Sequence, residues 1–88
     1  MSDVDLKKQY RWQCRRGLKE VEVVLNDYLE RFFDSDPPGM QALFERLLKE
    51  QDADMFEWFT GRSAPQDAEL AGYVTQVLDR LHRAHQAG

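Results

Sequence analysis

Eighty-eight residues, 42% hydrophobic, 32% charged and 11% aromatic, suit one small globular domain and are too apolar and aromatic for a disordered chain. That length excludes a two-domain dinucleotide enzyme or an eight-stranded α/β barrel, and apolar runs of at most three residues exclude a membrane-spanning helix or a secretory core segment. The net charge of −4 is unevenly placed: residues 1–20 carry +3 and residues 21–88 carry −7, a cationic end on an acidic body.

The acidic start Met1-Ser2-Asp3-Val4-Asp5 resembles neither a secretory nor a transit leader. A single cysteine, Cys14, has no internal disulfide partner and fits a reducing compartment. The cytoplasm is therefore the expected compartment.

Punctuation divides the chain into five helical pieces, with no repeats and no low-complexity linker. The first helix is expected from about Asp5 to Cys14, with Leu6 and Tyr10 on one face and Asp3 or Asp5 as cap. Gly17 interrupts it. The second runs from Leu18 to about Phe33, with Leu18, Val21, Leu25, Tyr28, Leu29 and Phe32 on one stripe. Val21-Glu22-Val23-Val24 alone reads as a strand, but the three/four spacing persists for four turns and favours helix. Asp34-Ser35-Asp36-Pro37-Pro38-Gly39 is a break that offers caps and a proline for a first helical turn.

The third helix, about Pro38 to Glu50, places Met40, Leu43, Phe44, Leu47 and Leu48 on one face. Asp52 is expected to cap a short fourth helix, about Ala53 to Thr60, which Gly61 ends. Ser63-x-x-Gln66 has capping-box spacing and starts a fifth helix, about Pro65 to His82, with Leu70, Tyr73, Val74, Val77, Leu78 and Leu81 inward. The fold class is all-α, a five-helix bundle in a single domain over residues 1–88, with a helical core at about 5–83 and short flexible termini.

Catalytic chemistry finds little support. The five glycines are isolated, so no phosphate-cradling loop exists. His82 and His85 lack a third ligand nearby, so no metal site is expected; they suit a helix C-terminus instead. Cys14 lies among Arg11, Arg15 and Arg16, which lower a thiol pKa, yet a half-buried structural thiol is the simpler reading.

Basic residues interleaved with Tyr10 and Trp12 suggest a nucleic-acid strand, and the first two helices mimic a helix-turn-helix. The second helix argues against that: it presents Glu20, Glu22, Asp27 and Glu30 where base-reading donors belong. A small nucleic-acid-binding or antitoxin-like module is the alternative carried forward.

Arg16-Gly17-Leu18-Lys19-Glu20 has two readings. As punctuation, Gly17 is the C′ residue of the first helix, Glu20 sits in the first turn of the second, and Arg16 pairs with Glu20. As a recognition corner, a guanidinium and a carboxylate flank a residue with no side chain, over which a partner's backbone approaches. Composition and spacing do not rank them.

The run Arg11-Trp12-Gln13-Cys14-Arg15-Arg16-Gly17-Leu18-Lys19-Glu20, followed by Phe44-x-x-Leu47-Leu48 and Asp52-Ala53-Asp54-Met55-Phe56-x-Trp58-Phe59, resembles the small FAD assembly factors of succinate dehydrogenase, the SdhE family. Ala64-Pro65-x-Asp67-Ala68-Glu69-Leu70 fits the same pattern, and the resemblance covers about residues 8–82. The family hallmark Arg-Gly-x-x-Glu is Arg16, Gly17 and Glu20 here.

The resemblance implies a five-helix fold and a chaperone, not an enzyme. Its partner is the flavoprotein subunit of succinate dehydrogenase and, in bacteria, often that of fumarate reductase. FAD becomes covalently attached to a histidine of that subunit. The cofactor then belongs to the partner, and none is held tightly by this chain. Nucleic acid and membrane insertion are not implied, and a monomer is expected when free. By carry-over, Arg16 and Glu20 contact the flavoprotein and Gly17 admits it; Arg11, Trp12 and Arg15 adjoin, and Asp52 and Asp54 reach toward it. Trp12 reads equally as a core anchor, and Trp58 reads as core.

Overall fold

The computed structural model describes the backbone of residues 3–87 and the side chains of residues 6–86. Five helices follow in order: α1 (Asp3–Gln13), α2 (Lys19–Arg31), α3 (Pro38–Leu48), α4 (Asp52–Phe59) and α5 (Ala68–Ala87), with a 3₁₀ turn at Phe33–Ser35. No strand occurs among the described residues, and none of their helices is long and apolar enough to cross a membrane. The Val21–Val24 stretch is helical: Val21 and Leu25 are buried on one side, and Val23 is 56% exposed on the other. Of the short flexible termini expected outside residues 5–83, Met1, Ser2 and Gly88 lie outside the described residues, while residues 3, 4 and 84–87 are helical.

Helix α2 is the central element and packs against α1, α4 and α5. It contributes Val21, Leu25, Tyr28 and Leu29 to a core completed by Tyr10 and Cys14, by Phe44, Leu47 and Leu48, by Met55, and by Leu70, Tyr73, Val74, Val77 and Leu81. The Tyr28 ring stacks on Phe44 at 5.9 Å and meets Tyr73 edge-on at 6.0 Å, geometries that suit the aromatic quadrupole.

The helix ends depart from expectation in instructive ways. Helix α1 begins by Asp3, so Asp5 is interior rather than a cap, and the side chains of both lie outside those described. It stops at Gln13, so Gly17 is not its C′ residue, and φ at Gly17 is not in the left-handed region.

Gly61 does have that role, with φ of 77°. Its N–H reaches the Trp58 carbonyl at 3.3 Å and the next N–H, of Arg62, reaches the Glu57 carbonyl at 2.9 Å, closing α4 in a Schellman motif. The start of α5 is capped by Asp67, whose carboxylate accepts the Leu70 N–H at 2.9 Å. The expected Ser63 capping box does not form; Ser63 donates instead to Glu57 at 3.0 Å. With no breaker before Gly88, α5 continues to Ala87, and His85 Nε2 lies 2.7 Å from Asp27 of α2.

In the Asp34–Gly39 break no side chain caps α3; Pro37 and Pro38 open it. Asp36 is buried there, accepting from the Tyr28 hydroxyl at 2.6 Å and from Arg80 at 2.7 Å. Arg80 also lies 4.2 Å from the Phe32 ring centre. A buried carboxylate needs such a paired, hydrogen-bonded setting.

Candidate functional site

The chain crosses from α1 to α2 through Cys14–Leu18, and Arg16 fixes the path of that corner. Its Nε donates to the Gln13 carbonyl at 2.9 Å. Nη1 donates to the Glu50 carbonyl at 3.1 Å and to Asp52 Oδ1 at 3.3 Å, and Nη2 donates to the Leu48 carbonyl. Leu48 ends α3, where carbonyls lack intrahelical donors and the dipole is negative. A planar guanidinium satisfies the Leu48 carbonyl together with those of Gln13 and Glu50.

Asp52, at the first turn of α4, takes Arg16 on one oxygen and the Gly17 N–H, at 3.0 Å, on the other. Gln51, not Asp52, is the N-cap residue of α4.

These contacts replace the expected Arg16–Glu20 pair: Arg16 does not reach Glu20, and its side chain, 15% exposed, braces the corner from within the chain. Asp52 is likewise spent on the corner. Gly17 remains exposed, and a Cβ placed on it meets only Asp52 Oδ2, at an ordinary contact distance of 3.6 Å. Neither backbone conformation nor internal packing requires glycine there.

Beside the corner lies an open groove of about 740 Å³ between α1 and α2. Lys8, Gln9, Arg11, Trp12 and Arg15 form one wall, and Glu22 and Asn26 the other. Trp12 is 69% exposed, which removes the core-anchor alternative, and the Arg15 guanidinium sits 5.3 Å from its ring centre. Arg11 is paired with Glu30 of α2. Glu20 is exposed in the first turn of α2 and takes no hydrogen bond or ion pair among the described residues.

The model of the family described as "Flavinator of succinate dehydrogenase" matches residues 8–84, which take in the corner, the groove and most of every helix. The chain belongs to this family. It is 38% identical over 79 residues to the FAD assembly factor SdhE of Pseudomonas aeruginosa, covering 90% of this chain and 93% of that one. Identity is 35% over 75 residues to the factor of the same name from Idiomarina loihiensis, covering 85% and 83% of the two chains. The factor from Pectobacterium atrosepticum is 30% identical over 78 residues, covering 89% of each. The family resemblance drawn from the Arg-Gly-x-x-Glu motif and its flanks is thereby shown.

In this flavinator-family chain not every residue of the expected patch converges. Asp54 is exposed and opens, with the half-buried Trp58, onto a second groove of about 510 Å³ bounded by Arg46, Glu50 and Pro65. Two positions apart on a helix, Asp52 and Asp54 point to different sides, so the two do not act at one spot.

Cys14 is fully buried, not half-buried, and the expected lowering of its pKa by arginines does not occur. Burial pushes the thiol up to about 11, and the opposing pull of Arg16 is smaller. His82 is exposed while His85 is held by Asp27, and no three metal-ligating side chains converge among the described residues.

Two features escaped the sequence reading. Val23 is an exposed apolar residue whose signal was its position off the α2 stripe. Glu22 accepts the Arg16 N–H at 3.3 Å, a contact with no sequence signature.

Proposed function

We propose that this chain is an assembly chaperone that docks on the flavoprotein subunit of succinate dehydrogenase, and of fumarate reductase where present, and promotes covalent attachment of FAD to that subunit. Family membership supports the reading, and one structural observation carries it to a surface. At Gly17 nothing among the described residues requires glycine, and an exposed Trp12 and a Glu20 with no partner among those residues lie in the same α1–α2 region. A site missing a side chain for no internal reason is suited to a close external approach.

On this reading Trp12, Arg15, Gly17 and Glu20 meet the partner, with Arg11 at the edge and Asp54 outlying. Trp12 and Arg15 are residue types that anchor interfaces. An interface of standard size, about 800 Å² per side, is about 14% of the 5791 Å² surface, so a single face suffices.

The chain supplies no reacting group of its own on this reading, and FAD stays with the partner. The factor works by binding the flavinylation-competent arrangement of the flavoprotein more tightly than the others, at about 1.4 kcal/mol for each tenfold shift in population. It is a monomer in the bacterial cytoplasm when free. The nucleic-acid alternative is not favoured, because α2, packed against α1, carries Glu20, Glu22 and Glu30, which repel phosphate.

Reconstitution tests the proposal. Apo-flavoprotein, FAD and a dicarboxylate are incubated with and without the chain, then denatured and scored for in-gel flavin fluorescence. Faster covalent flavin is expected with the wild type. Glu20→Ala is expected to lose that effect while melting at a near-native temperature. No acceleration with a cognate flavoprotein defeats the reading.

A further inference from the structure

We infer that Arg16 and Asp52 form a positioning latch: neither touches the flavoprotein, and together they hold the Gly17 corner in the shape that docks. The inference rests on the docking role proposed above and reassigns two residues that the motif alone places at the interface.

The geometry leaves Arg16 little to offer outward. Its guanidinium is committed to three main-chain carbonyls and one carboxylate, all inside this chain, and 15% of the side chain is exposed. Asp52 is divided in the same way, one oxygen to Arg16 and the other to the Gly17 N–H.

Arg16 and Gly17 are adjacent in the chain, so Asp52 holds two successive residues of the corner from a helix 36 positions away. The Leu48 and Glu50 carbonyls fix the guanidinium, the guanidinium fixes the carboxylate, and the carboxylate fixes the amide of Gly17. Glu22 adds a bond to the Arg16 N–H. Loss of either latch residue frees the Gly17 amide and lets the five-residue crossing change course. The first turn of α2, with Glu20, begins two residues beyond Gly17.

Two measurements on Arg16→Ala, Asp52→Ala, the double variant and Asp52→Asn test this. In the free protein, hydrogen exchange at the Gly17 amide is followed by NMR. It is expected to quicken about tenfold or more in Asp52→Ala and Arg16→Ala, while amides of α2 and α5 stay protected. Binding to the flavoprotein is expected to weaken about tenfold in each single variant and no further in the double, because the two residues act as one unit.

Asp52→Asn keeps an oxygen for the Gly17 N–H but sets its NH2 against the Arg16 guanidinium, so it is expected to bind between wild type and Asp52→Ala. Additive losses in the double variant, or an Asp52→Asn as weak as Asp52→Ala, would mean direct contact with the partner and overturn the latch. Exchange that quickens equally through the core, or not at all at Gly17, also overturns it. Wild-type chain that fails to bind flavoprotein refutes the docking role itself, a different failure from unchanged exchange in a chain that binds.

Discussion

Replacing Gly17 separates folding from docking, because the structure sets the two costs independently. The new Cβ meets only Asp52 Oδ2, at 3.6 Å, and φ is one that any residue adopts. A side chain there also restricts the unfolded chain, which stabilises by about 0.4–1 kcal/mol. Mild crowding at the Asp52 carboxylate works the other way. Gly17→Arg is therefore expected to change stability by less than about 1 kcal/mol, a shift of under about 8 °C in melting temperature for a domain of this size.

Docking is expected to suffer far more. A long side chain rising from the corner holds the partner's backbone away, so the loss in affinity is about 100-fold, or about 2.7 kcal/mol. Gly17→Ala, one methyl group, is expected to lose less, about tenfold. Gly17→Leu separates bulk from the added charge. Circular dichroism melts and titration against the flavoprotein read both quantities. An unfolded Gly17→Arg, or one that binds as wild type, refutes the reasoning: in the first case the corner needs glycine for the fold, in the second no partner passes over it.

Other consequences follow from the core. Leu47 is fully buried, so Leu47→Ala is expected to cost about 2–5 kcal/mol in urea unfolding through the cavity it leaves. The Cys14 thiol titrates ordinarily at 9.0 and is raised by burial to about 11 in the fold. A raised pKa stabilises the fold below 9, and that stability drains as pH rises toward 11, about 1.4 kcal/mol of it by pH 10. Urea midpoints at pH 8 and pH 10 are expected to fall further for wild type than for Cys14→Ala; equal falls refute the burial argument. The buried Tyr73 hydroxyl faces Tyr28 but makes no hydrogen bond of good geometry among the described residues, so Tyr73→Phe is expected to be neutral or to stabilise by up to about 1 kcal/mol. A clear loss of stability would mean that the hydroxyl is satisfied.

Local chemistry made much of the chain legible in advance. The α2 stripe from Val21 to Leu29, the α3 face of Phe44 and Leu47, and the Gly61 stop depend on spacing and on backbone conformation within a few residues. The exposure of Trp12 was within reach too. Tyr10 and Cys14, four apart, are both buried, and a residue midway between them turns to the opposite face of a helix. The family, likewise, is written in the Arg-Gly-x-x-Glu motif and its flanks.

What the motif did not reveal is which of its members face outward. Arg16 and Glu20 read as an equivalent pair in one dimension, yet one is drawn inside and the other is exposed, with no partner among the described residues. That choice belongs to α3, α4 and the turn between them, which deliver the Leu48 and Glu50 carbonyls and the Asp52 carboxylate to the corner from more than 30 positions away. Most of those acceptors are main-chain oxygens, present at every residue whatever its side chain. A sequence therefore carries no mark of them, and only the packing of the helices decides which arginine they claim.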